Sequence, residues 1–496
     1  MSDTLAVNLD PGLPAPVRTY LAGFQDTLHI NGSWVGGGGG QRFDVFNPAT
    51  GALLATAVEA DTADVDRAVA AARAALRGPW RAFRPRDRGK ILSRWAGLIE
   101  AELDDLAQLE TYDSGMTIQT ARGMISDVLE TIAFFVAGTE ALAGDAPQTD
   151  PTSFRYTLRD PIGVCAAITP WNAPITNAVW KIGPALAAGN TLLLKPAEQT
   201  PLSTLRLAQL LQDAGLPDGV LNIITGGPAA GRALVEHAGI DKVSFTGSTE
   251  VGKQILAGAS GNLKHVSLEL GGKSANIVFA DADLDVAVPT TLAGFTALAG
   301  QICIAGSRVF VQQEIYDEFT ERLSALTSTV AVGDPMDPTT AVGPLSSKEQ
   351  LARVSGYLAL GLEEGATVSA GGSAMGGDGY FVRPTIFSGA RNDMRIAQEE
   401  IFGPVAALIP FSDVDDAVRQ ANDTTYGLAA AMWTTNLATA HTVARQLDAG
   451  TVWINTWGAL DPTMPFGGYK QSGIGREFGP GWYHEYTEQK SVYVSL

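Results

Sequence analysis

Cysteine is scarce in this chain: there are two in 496 residues, Cys165 and Cys303. That usage excludes a disulfide-stapled scaffold and fits a reducing compartment, so a cytoplasmic protein with two free thiols is expected. Histidine is scarce too. The five histidines show no metal-ligand spacing and the two cysteines lie far apart, so no metal site is expected. Positive charge is in deficit, with 34 Lys and Arg against 53 Asp and Glu and a formal net charge of −19. Nucleic acid and anionic membranes both reward basic patches and are disfavoured as partners. The N-terminus carries Asp3 and Asp10 and lacks a basic region followed by an apolar core, which is not the pattern of a secretory signal. Val286–Ser307 is uncharged and long enough to test as a membrane span. Pro289, Gly294, Gly300, Gln301 and its threonines make it too polar and too broken. It reads as a buried helix leading into a loop. A second uncharged stretch lies between Asp160 and Lys181, and the pair suggests a site walled off from water.

What is present is ordinary for a globular protein, 45% apolar and 18% charged. The length suggests two to four domains with large cores. Residues 1–19 hold three prolines and no clear period and read as an extended arm. Trp34-Val35 and Phe43–Val45 flank five consecutive glycines, Gly36–Gly40, as hairpin strands or a plain surface loop would. Val65, Ala68, Val69, Ala72 and Leu76 fall at helical spacing, as do Ile91, Trp95, Leu98 and Ile99. From Gly163 strand-length apolar runs alternate with helical stretches. Strands are expected at Val164–Ile168, Thr191–Leu194, Val220–Ile224, Lys242–Phe245 and His265–Leu268. Between them lie a helix over Trp180–Ala188 and another with Thr200 as N-cap and Pro201 as first residue. This alternation predicts an α/β fold, a parallel sheet with helices on both faces. A second round runs from Ala275–Phe279 to about Gly450, and the alternating tail Lys490–Ser495 reads as an exposed strand in need of a partner.

Cys303 sits in Thr296-Ala-Leu-Ala-Gly-Gln-Ile-Cys303-Ile-Ala-Gly-Ser-Arg308. By itself a cysteine in such surroundings is a small buried hydrophobe. The chain also contains Pro170-Trp171-Asn172, Lys195-Pro196-Ala197-Glu198, Phe245-Thr246-Gly247-Ser248, Glu269-Leu270-Gly271-Gly272-Lys273 and Glu400-Ile401-Phe402-Gly403-Pro404. In order and approximate spacing, from about Leu28 to Leu496, these segments resemble the NAD(P)-dependent aldehyde dehydrogenases. The resemblance implies a Rossmann-like NAD-binding domain over residues 20–142 and 160–271 and an α/β catalytic domain over 272–470. It further implies a small β bridging and oligomerisation element from 143–159 and 486–496. Relatives pair this element across subunits, so a homo-oligomer, dimer or tetramer, is expected.

Hydride loss from an aldehyde requires a tetrahedral carbon first. A thiolate supplies it as a thiohemiacetal, and the thioester left after hydride transfer is then hydrolysed. Cys303 is the nucleophile candidate, and Cys165, within a strand, is the structural one. Asn172 matches the oxyanion donor, although an asparagine there could simply cap a helix. Glu269 matches the general base; its bland alternative is an ion pair with a lysine such as Lys273. Lys181 and Glu477 match family positions linked to proton relay, or form an ordinary ion pair.

No glycine-rich fingerprint of the usual dinucleotide spacing follows the first strand. Gly247 and Ser248 instead follow a strand and open a helix, a weak anion signal on its own. The resemblance makes this turn the pyrophosphate site. It assigns Lys195 and Glu198 to the adenosine ribose, where a carboxylate repels a 2′-phosphate and favours NAD over NADP. Glu400 and Phe402 are assigned to the nicotinamide end, and Ile168, Thr169, Pro170, Trp171, Ala197, Gly231, Phe245 and Leu270 to the remaining cofactor surface. The substrate tunnel would be lined by Ala173, Asn177, Trp180, Ile302, Ile304, Trp457, Leu460 and Phe466. This apolar and aromatic set has no arginine for a second carboxylate. Ala173 replaces one aromatic of the cage that holds a quaternary ammonium in betaine-aldehyde enzymes. Ala459–Phe466 is similar to the same stretch of phenylacetaldehyde-type enzymes, so an apolar aldehyde, aromatic or medium-chain, is expected. The competing readings are a betaine- or amino-aldehyde enzyme, a CoA-acylating enzyme, against which Glu269 argues, and a non-catalytic relative, in which Cys303, Asn172 or Glu269 would be the first to decay.

Overall fold

The computed structural model describes residues 12–23 and 27–496. Two sheets organise the chain. The first has eight strands in the order Gly473–Ile474, His265–Glu269, Lys242–Thr246, Val164–Ile168, Thr191–Lys195, Leu221–Ile223, Leu28–Ile30 and Ser33–Val35. The five central strands are parallel, and antiparallel strands close both edges. All five residues of Val164–Ile168 and of Thr191–Lys195 are buried. That is why these segments read as continuous apolar runs: helices cover both faces of a parallel sheet. Val164–Ile168 precedes both of its neighbours in sequence, one chain excursion going to each side. It therefore marks the topological switch point, where α/β folds open a crevice beyond the strands' C-terminal ends.

The second sheet has seven strands in the order Thr367–Ala370, Thr385–Ser388, Val405–Phe411, Arg308–Gln312, Ala275–Val278, Ala429–Trp433 and Thr451–Ile454. All its pairs are parallel except the first. The tail strand Thr487–Ser495 finds its partner in Ser153–Pro161, antiparallel along its full length. A two-stranded ribbon leaves two free edges and a wide outer surface, here carrying exposed Phe154, Leu158, Tyr493 and Val494. No helix among the described residues is long and apolar enough to cross a membrane.

Three local expectations are corrected. Residues 15–20 are not extended: Ala15–Ala22 is a helix, with Pro14 at its N-cap and Pro16 in its first turn. Proline is tolerated there because those N–H groups lack helical partners. Val17 and Leu21 bury against Leu109 and Leu202. Residues 1–11 of the expected arm lie outside the described residues. The strands flanking the glycine run do not form a hairpin. Ser33–Val35 pairs with Leu28–Ile30, whereas Arg42–Phe46 pairs with Leu53–Val58 in a separate sheet. The glycines instead wrap the start of helix Thr62–Arg77, where the Gly38 N–H donates to Asp64 at 3.1 Å. Finally, Pro201 rather than Thr200 precedes helix Leu202–Asp213. Its first N–H groups donate to the buried Asp113 carboxylate, from Leu202 at 2.8 Å and Ser203 at 3.3 Å, so the cap comes from a distant segment.

Candidate active site

Helix Pro174–Ala188 starts immediately after Pro170-Trp171-Asn172, with Pro174 in its first turn. Asn177, Trp180 and Lys181 recur at helical spacing and share one face. Asn177 and Trp180 line a cavity of about 690 Å³ lying beyond the C-terminal ends of the first sheet's strands, while Lys181 is buried outside its wall. Cys303, Asn172 and Glu269 all line it, together with Glu477, Glu400 and Phe402.

Cys303 lies in the turn between helix Leu284–Thr296 and strand Arg308–Gln312. The turn is held from behind by Arg308, a buried side chain that donates to the carbonyls of Lys273 at 2.8 Å and Ala421 at 2.8 Å. The two glycines of Glu269-Leu-Gly-Gly let this turn come close. A Cβ on Gly272 would stand 2.3 Å from the Cys303 carbonyl oxygen, and one on Gly271 would stand 2.3 Å from Glu400 Oε2. The Gly272 N–H donates to Glu400 Oε1 at 3.0 Å. Thus Glu269, Cys303 and Glu400 are gathered around one backbone turn. Asn172 Nδ2 donates to the Gln301 carbonyl at 2.8 Å, tying the Pro-Trp-Asn segment to the cysteine loop. A carboxamide has two N–H donors, so a second remains for a ligand.

The electrostatics follow from burial. Glu269 ends its strand 5% exposed, with Oε2 lacking any partner. Burial, and next the negative charge of Glu477, hold its carboxyl well above the usual range. Glu477 is ion-paired with the buried Lys181. The proposed pairing of Glu269 with Lys273 is not found. Lys273 is buried nearer Arg308 and Glu400, and burial brings its ammonium down to about 7. Burial first, and then Glu400 and Glu269, push the Cys303 thiol up to about 12. Both cysteines are free, and Cys165 is fully enclosed within its strand.

Toward the cofactor side, Ser248 caps helix Thr249–Gly258 by accepting from the Val251 N–H. Gly247 allows close approach: a Cβ there would fall 2.4 Å from the Phe245 ring, which would have to shift. The hydroxyls of Thr169 and Thr246, at the ends of the switch-point strand and its neighbour, are buried without partners. A helix N-terminus, a close-approach glycine and unpaired hydroxyls at the switch point fit a dinucleotide. Lys195, Ile168 and Gly231 form an adjoining cluster: a Cβ on Gly231 would lie 3.7 Å from Lys195 Cδ and 3.9 Å from Ile168 Cδ1. Lys195 Nζ donates to the Pro196 carbonyl at 3.2 Å and to Glu198 at 3.4 Å, with Ala197 between them. These residues flank the cavity rather than line it. Pro170, Trp171 and Leu270 do line it, and the Trp171 and Phe402 rings meet edge to face with centroids 5.2 Å apart.

On the substrate side Ala173, Asn177, Trp180, Ile302, Ile304, Trp457, Leu460 and Phe466 all reach the cavity. Trp457 is fixed by a hydrogen bond from its indole N–H to the Ile304 carbonyl at 3.2 Å. Trp180 packs edge to face on Phe466 at 5.6 Å and on Phe478 at 4.7 Å. Sequence reasoning missed Phe478, and also Thr120, Met124 and Val128, Gln350 and Arg353.

The profile of the Aldehyde dehydrogenase family matches residues 34–492. An aldehyde dehydrogenase of Davidiella tassiana is 48% identical over 471 residues, covering 95% of each chain. The NAD+ complex of a Bacillus cereus aldehyde dehydrogenase superposes with a TM-score of 0.96 at 45% identity, covering 98% of this chain and 99% of that one. The Pseudomonas syringae indole-3-acetaldehyde dehydrogenase AldA, a cysteine-to-alanine mutant solved with NAD+ and IAA, has a TM-score of 0.94 at 42% identity, covering 97% and 99%. Matched in sequence along nearly its whole length and in fold to NAD+-bound structures, the chain belongs to the aldehyde dehydrogenase family and is an NAD-dependent aldehyde-oxidising enzyme.

Proposed function

We propose that the enzyme oxidises apolar aldehydes, aromatic or medium-chain, to carboxylic acids through a Cys303 thiohemiacetal and a thioester hydrolysed by Glu269-activated water. The observation that carries this reading is the convergence of Cys303, Asn172 and Glu269 on one cavity whose far half is ring-lined and free of basic side chains. Cys303 Sγ, its proton lost to water, attacks the carbonyl carbon as the thiolate, and the free Asn172 N–H with the Cys303 backbone N–H stabilises the oxygen that gains charge. When bound, NAD would supply the hydride acceptor. Lys195 and Glu198 would hold its adenosine ribose, Gly247 and Ser248 its pyrophosphate, and Glu400 and Phe402 its nicotinamide end. Glu269 then removes a proton from water as that water attacks the thioester, and the Lys181–Glu477 pair behind it relays the proton. Water as the acyl acceptor, rather than CoA, follows from this base.

Among the described residues Arg353 is the one basic residue on the cavity wall, and it faces the Glu400 side, where its guanidinium donates to the Glu400 carbonyl. The outer wall carries Asp127, Glu130 and Asp461 instead. Those charges repel a second carboxylate on the substrate. Trp180 meets Phe466 and Phe478 edge to face, and Ala173 on the cavity wall offers no ring to complete a quaternary-ammonium cage. Phenylacetaldehyde and hexanal are therefore expected to show higher kcat/KM than betaine aldehyde or succinic semialdehyde. An NADH-production assay over these four, with and without CoA, decides it; preference for either of the last two would show this pocket reading to be wrong.

We also propose that the ribbon formed by Ser153–Pro161 and Thr487–Ser495 joins subunits, since its free edges and exposed apolar side chains need cover. A dimer or tetramer is expected by light scattering at micromolar concentration, and a monomer would refute this.

A further inference from the structure

A second cavity, of about 300 Å³, adjoins the first. The two share Thr120, Asn172, Ala297 and Leu298, which form the partition between them. We propose that this side chamber is a second acyl-binding subsite, taking a ring-sized apolar branch on the second or third carbon of the aldehyde. The inference rests on reading the main cavity as the aldehyde tunnel.

Three features carry it. First, none of the described residues lining the chamber is ionisable, whereas the main cavity carries several carboxylates and an arginine. Second, apart from the Asn172 carboxamide that it shares with the main cavity, the polar side chains on its wall are already engaged within the protein. Ser114 Oγ donates to the Glu110 carbonyl at 2.7 Å, the Thr117 and Thr120 hydroxyls pair at 2.8 Å, and Thr296 Oγ1 donates to the Leu292 carbonyl at 2.7 Å. Gln301 is tied at both ends, to the Leu298 carbonyl at 3.0 Å and the Ser346 N–H at 2.9 Å. Beyond the free Asn172 N–H, what remains for a ligand is mainly apolar surface, from Met116, Leu292 and Pro344 among others. A cavity of roughly 150 Å³ accommodates benzene, so this one holds a substituted ring. Third, the partition is a special piece of backbone. Leu298 and Ala299 both lie in the left-handed region, at φ 51° and 55°. The turn places Ala297 and Leu298 beside Asn172, so the chamber adjoins the proposed reacting carbonyl rather than only the tunnel mouth.

Ala293 lines the chamber alone, on the solvent-facing side of helix Leu284–Thr296. The test is the ratio of kcat/KM for diphenylacetaldehyde to that for phenylacetaldehyde. Ala293→Trp fills the chamber and is expected to lower the ratio on the order of 10- to 200-fold. Leu298→Ala opens the partition and is expected to raise it. Ala293→Leu is a milder filling variant, expected to lower the ratio by less, should the tryptophan not fold. A ratio unmoved in all soluble variants, or a wild type that oxidises phenylacetaldehyde but not the branched compound, would overturn the chamber while leaving the tunnel reading intact. A wild type that oxidises neither would overturn both.

Discussion

Cys303→Ala is expected to abolish NADH formation from every aldehyde, a loss on the order of 10⁴-fold or more. Among the described residues the cavity wall holds one thiol and no lysine, and its hydroxyls are far weaker nucleophiles than a thiolate. NAD binding should persist, because the proposed pyrophosphate and ribose contacts come from other segments. Cys165→Ala is the matched control. Its sulfur is enclosed in the core of the first sheet, so its loss should cost stability on the order of 1 kcal/mol and little activity. Alkylation gives a second readout. With the Cys303 thiol pushed up to about 12, only a small fraction is thiolate near neutrality. The iodoacetamide reaction rate of the free enzyme should climb roughly tenfold per pH unit between pH 7 and 10. Substantial turnover by Cys303→Ala would rule out the covalent mechanism.

The parallel strands were legible because burial on both faces demands an unbroken apolar run, which no other short segment needs. Helix Ala15–Ala22 was not, because prolines were read as breakers when two of them sit where a helix tolerates proline. The false hairpin around Gly36–Gly40 has another cause: strand patterns show which segments pair, not with whom. Within the site, Cys303, Asn172 and Glu269 were found through motifs, each at a strand end or turn with a chemical requirement of its own. Gln350 and Arg353 stand three apart near the start of helix Lys348–Glu363, and Thr120, Met124 and Thr131 recur on one face of Ile118–Glu140. Their spacing announces a helix face, but only packing decides that the face meets this cavity rather than the core. Phe478 carried no local signal, since its reach to Trp180 comes from the short pairing of Glu477–Phe478 with Pro465–Phe466.

Glu269→Gln should separate the two halves of the reaction. The amide keeps the size of the side chain but cannot accept the proton of an attacking water. Acylation should give a rapid burst of NADH approaching one per active site, followed by turnover slowed about 10²- to 10⁴-fold, the usual weight of a general base. Mass spectrometry of the arrested enzyme should find the acyl group on the Cys303 peptide. The pH profile supplies an independent check. Burial and the charge of Glu477 hold the Glu269 carboxyl well above its ordinary value, so it loses its proton only at correspondingly higher pH. If Glu269 is the base, wild-type deacylation must rise as pH rises through that elevated pKa and fall as pH drops below it. In Glu269→Gln this limb should vanish from the slow phase. Removing the neighbouring negative charge by Glu477→Gln should move it to lower pH, because the Glu269 anion then loses that repulsion. A burst-free Glu269→Gln enzyme with normal steady-state turnover would remove Glu269 from the mechanism. A burst without a shifted limb in Glu477→Gln would keep Glu269 and discard only the electrostatic link between the two carboxylates.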